Sequence, residues 1–109
     1  MKFKMSTNIA VRTKNIDKAK EFYSEFLGFL VNEHTQTELE LDANPMTLYV
    51  IDDKNSSGPI MELYVNDLEK AKNELISKGC KILKWEGRGK DCYVQDPFGV
   101  IFNIWEEKK

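Results

Sequence analysis

The chain has 109 residues, of which 41% are hydrophobic and 31% charged, and its formal net charge is −2 at pH 7. This composition predicts one globular domain, and the lack of a basic block argues against nucleic acid as a partner. No apolar run approaches the roughly 20 residues that a membrane span needs, and no signal-peptide pattern follows the N-terminus. We therefore expect a cytoplasmic protein with no membrane partner. Its two cysteines, Cys80 and Cys92, lack metal-ligand spacing and need not pair in a reducing compartment.

In the first half of the chain, residues 8–13 alternate between apolar and polar side chains, which is typical of a strand with one buried face. Asn15 is a suitable N-cap for the helix that follows, and Gly28 is suited to end it. Apolar residues recur along this helix at helical spacing. Its aromatic residues are expected in the core: Phe22, Tyr23 and Phe26. Three strands are predicted next, at Phe29–His34, Thr37–Leu41 and Met46–Asp52.

The second half repeats this pattern. Residues 60–65 alternate as a strand does, and Asp67 caps a second helix that ends at Gly79. The Asp, Pro and Gly of Asp96–Gly99 suit a type I turn, so the runs on either side predict a hairpin. Three strands are predicted after the second helix, at Cys80–Trp85, Asp91–Gln95 and Val100–Trp105.

A shift of 52 residues lays Ile16-Asp17-Lys18-Ala19-Lys20 onto Leu68-Glu69-Lys70-Ala71-Lys72. The single domain, residues 1–109, is therefore predicted to hold two βαβββ modules, about residues 1–55 and 56–109, joined by a polar segment at 53–58. Neither half is large enough to hold a good core by itself. We expect an α+β fold in which the paired modules form a curved mixed sheet around a cleft, with both helices on the outer face.

Strand alternation then assigns side chains to two faces. The helix-packed face should carry Ile9, Val11, Met61, Leu63, Val65, Phe102 and Ile104. The concave face should carry the predicted ligand-binding residues Asn8, Arg12, Ile60, Glu62, Tyr64, Ile101, Asn103 and Trp105. This second set is mixed and aromatic, as small-molecule sites usually are.

Two such modules, with Phe22-Tyr23 inside the first helix, Leu27-Gly28-Phe29 at its end and a closing Asp96-Pro97-Phe98-Gly99 turn, resemble the vicinal oxygen chelate superfamily. That superfamily includes glyoxalase I, extradiol dioxygenases, and fosfomycin and bleomycin resistance proteins. The resemblance spans nearly the whole chain and implies the fold more specifically than the activity. It also implies a homodimer, often with the cleft completed by both subunits, and the exposed strand edges of a small domain agree with this.

Metal-dependent members of that superfamily carry His or Glu at four positions on the concave ends of their strands. By this resemblance, three of the positions are Asn8, Ile60 and Asn103. The fourth lies on the fourth strand, where Tyr49 and Val50 both remain possible. A divalent metal of this kind needs imidazole or carboxylate ligands, which none of these residues supplies. We expect neither a metal nor another cofactor.

Several residues have both a structural and a functional interpretation. Arg12 and Glu62 could form a salt bridge where their strands meet, or they could orient a ligand, with Glu62 as a general base. Tyr64 and Trp105 could stack on a planar ligand, with Asn8 and Asn103 supplying hydrogen bonds, or they could pack between the modules or across a dimer interface. His34, the only histidine, is interpreted as a surface residue. The helix lysines are interpreted as solvated: Lys14, Lys18, Lys20, Lys70 and Lys72.

Three functions are compatible with these residues. The first is a metal-free protein that binds a small apolar or aromatic molecule, in the manner of bleomycin resistance proteins. The second is a lyase, isomerase or dioxygenase of the same superfamily that uses an unrecognised metal site or Glu62 as a base. The third is an interaction module whose cleft is filled by its own side chains. The sequence identifies neither the ligand nor the physiological role.

Overall fold

The computed structural model describes residues 2–107 and shows an α+β protein with eight strands in that range. The strands are β1 (Lys4–Thr13), β2 (Leu30–His34), β3 (Glu38–Ala43), β4 (Met46–Asp52), β5 (Gly58–Val65), β6 (Lys81–Trp85), β7 (Cys92–Gln95) and β8 (Ile101–Glu106). The first helix is α1 (Ile16–Lys20), which continues directly as a π-helix (Glu21–Phe26), and the second is α2 (Leu68–Ser77). The predicted α+β class and the two βαβββ modules are confirmed.

The chain divides into two compact units. One unit is Thr7–Pro59, which we call the first module. The other contains, of the described residues, 2–6 and 60–107, and we call it the second module. The described helices include none that is long and apolar enough to cross a membrane.

In the first module the strand order is β2-β3-β4-β1, with β1 parallel to β4 and the other pairs antiparallel. Leucine and valine side chains of β3 and β4 form its buried core, because alternate residues of these strands point to the helix-packed face. The core residues are Leu39, Leu41, Leu48 and Val50, packed by Ile9, Val11, Ile16, Ala19, Tyr23, Phe29 and Ala43. The predicted helix-packed side of β1 is thus confirmed.

The second module repeats this arrangement in the order β5-β8-β7-β6, with β5 parallel to β8. Its core brings α2 against the sheet and consists of Val65, Leu68, Ala71, Cys92, Val94 and Ile104, packed by Leu63, Leu75, Ile82, Trp85 and Phe102. Four of the five residues predicted for this face therefore lie in or against the core, and Met61 is half-buried.

Both helices begin with the same N-cap. The Oδ1 atom of Asn15 accepts a hydrogen bond from the backbone N–H of Lys18 at 3.0 Å, and Oδ1 of Asp67 accepts one from Lys70 at 3.1 Å. Each bond satisfies one backbone donor that the first turn leaves unpaired, and such a cap contributes about 1 kcal/mol. Gly28 follows the first helix with φ of 83°, in the left-handed region that glycine favours. The predicted starts of both helices are confirmed.

The first helix differs from the prediction in its second half. Its π-helical turn is closed by hydrogen bonds from the backbone N–H of Leu27 to the oxygen of Phe22 and from Phe29 to Tyr23, both 3.0 Å. Tyr23 packs against the core, but the prediction that Phe22 and Phe26 are core residues is wrong, since they are 50% and 77% exposed. The prediction assumed 3.6 residues per turn throughout. A π-helical turn holds more residues, so the aromatic residues fall on a different face.

The turn between β7 and β8 forms as predicted. The backbone N–H of Gly99 donates to the oxygen of Asp96 at 3.1 Å, and Oδ1 of Asp96 accepts from the N–H groups of Phe98 and Val100, both at 2.9 Å. The hairpin pairs Tyr93 with Asn103, Val94 with Phe102 and Gln95 with Ile101. This register places Asn103 on the face that the helix does not cover.

Candidate ligand-binding site

The face of the second module opposite α2 holds most of the predicted ligand-binding residues, and we call it the helix-free face. Strand pairing places four side chains in a row across it, because residues in register on neighbouring strands point to the same side. The row consists of Glu62 on β5, Asn103 on β8, Tyr93 on β7 and Lys84 on β6. The next pair in register on the same face of β5 and β8 is Tyr64 and Trp105.

Aromatic rings make this face partly apolar. Tyr64, Tyr93 and Trp105 are all half-buried, so each exposes part of its ring to solvent. The Nζ atom of Lys84 lies 5.8 Å from the centroid of the Tyr93 ring, within the range of a cation–π interaction. Rings beside a few polar groups are typical of small-molecule sites.

Asn103 is fixed by its own hairpin. Its Oδ1 atom accepts a hydrogen bond from the backbone N–H of Cys92 at 3.0 Å, and its Nδ2 lies 3.5 Å from Oδ1 of Asp91. Asp91 also pairs with Lys84 at 3.7 Å. The amide therefore fastens the beginning of β7 to β8. Its predicted role in ligand binding stays a prediction, because these contacts orient the amide without showing what else it binds.

Burial settles which residue of β4 lies on the face away from the helix. Val50 is fully buried in the first-module core, so Tyr49 points to the opposite face, in register with Ala10 and Glu40. In the second module the corresponding pair of parallel strands places Asn103 beside Glu62. Tyr49 and Asn103 are therefore equivalent positions of the two modules.

The residues at the superfamily's metal positions do not fit a divalent ion. Ile60 has no donor atom, and the carbonyl oxygen of Asn103 already accepts the Cys92 hydrogen bond. Tyr49 carries a phenol in place of a carboxylate, which is a poor ligand for zinc or magnesium. Within residues 2–107, no group of three or more His, Cys, Asp or Glu side chains is placed to hold a metal.

Ile60 is 1% exposed, and this burial does not favour its predicted contact with a ligand. Ile101 is half-buried and lies in register with Gln95, which lies in register with Lys81. The sequence pattern did not identify Tyr93, Lys84 and Gln95 as members of the helix-free face. The hairpin register, counted outward from the Asp96–Gly99 turn, could have placed Tyr93 opposite Asn103.

The first module holds the remaining predicted residues, Asn8 and Arg12, on β1 in register with Thr47 and Ile51 of β4. The Nη2 atom of Arg12 donates to the backbone oxygen of Ser57 at 3.1 Å, while its buried Nε has no hydrogen-bond partner among the described residues. The pairing of Arg12 with Glu62 stays a prediction.

A depression lies on the first module, with a volume of about 510 Å³, and is lined by Ile16, Asp17, His34, Thr35 and Gln36. His34 is exposed at the end of β2, as expected of a surface histidine. The hydroxyl of Thr35 is used within its own turn, donating to the oxygen of Glu38 at 3.3 Å and accepting from its N–H at 3.1 Å. This depression is open and lies between the beginning of α1, the end of β2 and the turn that follows β2.

Both cysteines lie in the second module and are free thiols. Burial raises the pKa of the Cys92 thiol above its ordinary value, and the nearby carboxylates of Asp91 and Glu69 act in the same direction, against hydrogen bonds to the backbone of Gly87 and Glu86. Burial and, to a smaller extent, Asp96 raise the pKa of Cys80. A raised pKa keeps a thiol protonated and unreactive, so neither residue resembles a nucleophile.

Comparison with known proteins adds a family and a fold. The sequence model of the Glyoxalase/Bleomycin resistance protein/Dioxygenase superfamily matches residues 7–104. No curated protein matches the chain. A solved structure of a hypothetical protein from Bacillus halodurans C-125 is similar with a TM-score of 0.72 and 13% identity, covering 100% of this chain and 97% of that chain.

Two enzymes are also similar in structure. A methylmalonyl-CoA epimerase variant from Streptomyces coelicolor, in complex with 2-nitronate-propionyl-CoA, has a TM-score of 0.68 and 17% identity, covering 98% of this chain and 100% of that chain. Homoprotocatechuate 2,3-dioxygenase from Brevibacterium fuscum, in complex with 3,4-dihydroxyphenylacetate, has a TM-score of 0.70 and 17% identity, covering 98% of this chain and 37% of that chain. At these identities the likeness shows the fold alone.

Proposed function

Because the chain belongs to the Glyoxalase/Bleomycin resistance protein/Dioxygenase superfamily, whose fold hosts several chemistries, we propose that it binds a small molecule without a metal. The ligand is apolar or aromatic and lies against the helix-free face of the second module. The protein sequesters this molecule and does not transform it. Its free thiols fit a cytoplasmic location, where disulfides are rare.

The observation that supports this proposal most directly is the register of Tyr64 with Trp105 beside that of Glu62 with Asn103. Two half-buried aromatic side chains on neighbouring strands offer ring surface for a planar ligand. Glu62 lies two residues before Tyr64 on the same face of β5 and supplies a carboxylate. This carboxylate gives the site a preference for ligands that carry a hydrogen-bond donor. Binding then depends on stacking and a few polar contacts.

The metal-free part of the proposal is supported by the donor set. Asn103 stands where the superfamily's carboxylate is expected, and its oxygen is engaged by the backbone of Cys92. The other polar atom of this side chain is an NH2 group, which offers an ion no lone pair, and the amide carries no charge to offset that of the ion.

A second candidate is an enzyme in which Glu62 acts as a general base. Glu62 is half-buried and lies beside Asn103 on the same face as the aromatic rings, so a ligand bound there would reach its carboxylate. Proton abstraction by a positioned carboxylate requires a distance of about 2.6–3.2 Å to the donor atom. Isomerases and lyases that act by proton abstraction begin with such a step.

The two tryptophans provide a matched test of the binding site. Trp105 lies on the helix-free face, whereas Trp85 packs against the core on the helix side and donates its Nε1–H to Glu69 at 3.0 Å. Fluorescence of the variants Trp85→Phe and Trp105→Phe is titrated with planar aromatic probes, beginning with 3,4-dihydroxyphenylacetate and naphthalene-2-carboxylate. Quenching should persist in Trp85→Phe and disappear in Trp105→Phe. Quenching confined to Trp85 would contradict the proposed site.

Metal and turnover assays separate the two candidate functions. Addition of zinc, manganese, nickel or iron should leave the titration unchanged, and stoichiometric metal in protein purified without chelator would overturn the metal-free proposal. Glu62→Gln should preserve quenching. If a bound probe is converted by the wild-type chain but not by Glu62→Gln, the enzymatic candidate replaces the binding one.

A further inference from the structure

The helix-free face of the second module carries a carboxylate beside two neighbouring aromatic rings. Glu62 and Tyr64 are two residues apart on β5, so their side chains point to the same face about 7 Å apart along the strand. Trp105 lies on β8 in register with Tyr64. All three residues are half-buried, and partial burial weakens the screening of a charge by salt. The carboxylate and the two rings therefore border the same part of this face.

The second module already holds one cation between a ring and carboxylates. The Nζ atom of Lys84 lies 5.8 Å from the centroid of the Tyr93 ring, 3.8 Å from an oxygen of Glu86 and 3.7 Å from an oxygen of Asp91. The face of an aromatic ring carries negative potential, so the ring and the carboxylates attract the ammonium group together. The two rings and the carboxylate on β5 and β8 offer the same two kinds of group.

The lysines of this face lie farther from Trp105 than Glu62 does. Lys81 and Lys84 are on β6, which is separated from β8 by β7, so the two backbones are about 10 Å apart. Lys84 is also balanced by its two carboxylate partners. Glu62 is on the strand next to Trp105. An anion against Trp105 would be repelled by Glu62, whereas a cation would be attracted.

We infer that the ligand of the helix-free face is an aromatic compound with a positively charged nitrogen. Its planar part stacks on Trp105, and its nitrogen lies against the Tyr64 ring and pairs with the carboxylate of Glu62. The two oxygens of a carboxylate offer about four acceptor sites, so Glu62 can pair with a ligand in addition to its contact within the protein. The inference rests on the proposed function and adds the chemical class of the ligand.

Naphthalenes that share one ring system and differ in charge test the inference. The probes are 2-naphthylmethylammonium, naphthalene-2-methanol and naphthalene-2-carboxylate. The ammonium and the alcohol both donate a hydrogen bond, so the difference between their affinities measures the effect of charge. Calorimetric titration of the wild-type chain should show that the ammonium binds about 10-fold more tightly than the alcohol, with the carboxylate weakest. This preference should decrease as salt rises.

Two variants with the same change in net charge locate the cation. Glu62→Gln should reduce the preference for the ammonium over the alcohol to less than about threefold, without changing the affinity for the alcohol. Glu69→Gln is the matched control, because Glu69 is exposed on α2 and accepts the Nε1–H of Trp85 at 3.0 Å on the helix side. It should keep the full preference. The affinity for the alcohol also reports whether each variant retains its folded face.

The outcomes separate this inference from the proposed function. If the ammonium and the alcohol bind the wild-type chain equally and quench Trp105, the proposed function stands and the inference is wrong. A preference for the ammonium that persists in Glu62→Gln, or an equal loss of affinity for both probes in that variant, would also overturn the inference. If none of the three probes binds or quenches Trp105, the proposed function fails and the inference fails with it.

Discussion

The two modules share the order and pairing of their elements and differ in the residues at equivalent positions on their surfaces. Both begin a helix with a side-chain cap three residues before the bonded N–H, and both pair their first strand in parallel with their fourth. Yet the first module has Tyr49 where the second has Asn103, and exposed phenylalanines where the second has Glu74 and Lys78. The repeated backbone arrangement therefore carries different side chains at equivalent positions of the two modules.

The largest expected effect tests whether the two cores are equally important. Leu41 in the first module and Ile104 in the second are both fully buried. Leu41→Ala and Ile104→Ala should each lower the free energy of unfolding by about 2–5 kcal/mol, through lost apolar burial and the cavity left behind. Chemical denaturation measures both values. A loss below about 1 kcal/mol in only one variant would show that the modules do not contribute equally to stability.

A smaller effect distinguishes a half-buried amide side chain from an exposed one. Asn103→Ala leaves the backbone N–H of the fully buried Cys92 without its partner, so we expect a loss of about 1–3 kcal/mol. Asn32, its control in the first module, also bridges two strands, donating to Glu40 at 3.4 Å, but it is exposed. Asn32→Ala should change stability by less than about 0.5 kcal/mol. Equal losses in urea denaturation would contradict the fastening role of Asn103.

The smallest effect concerns the thiols, which occur only in the second module. The pKa values of Cys80 and Cys92 are raised in the folded chain above their ordinary value of 9.0. Above pH 9 the unfolded chain loses these protons while the folded chain retains them, so stability falls as pH rises. Below that pH the two states bind the same protons at these sites. Cys80→Ser combined with Cys92→Ala should flatten the alkaline dependence measured by urea denaturation, and an unchanged slope would contradict the assignment.

The elements that depend on local chemistry were predictable from the sequence. The caps Asn15 and Asp67 and the Asp96–Gly99 turn were assigned correctly because a side chain and its backbone partners lie within a few residues of each other. The helix-packed strand faces followed from alternation. The 52-residue repeat then established the order of elements in both modules.

The features that the sequence pattern did not indicate depend on spatial neighbours. The composition of residues 21–26 does not distinguish a π-helical turn from an α-helical one. The α-helical periodicity of the apolar residues therefore placed Phe22 and Phe26 in the core. The choice between Tyr49 and Val50 required the burial of Val50 in the first-module core. The partner of Asn103 lies on another strand, 11 residues earlier, and alternation within β8 alone does not reveal it.

The division of the chain within β1 also has a consequence for how the protein can be labelled. Lys4 forms an ion pair with Glu107 at 3.5 Å, and residues 4–6 of β1 belong to the second module, whereas the rest of the strand belongs to the first. A fluorophore attached at Lys4 will therefore report the unfolding of the second module, although the same strand continues into the first.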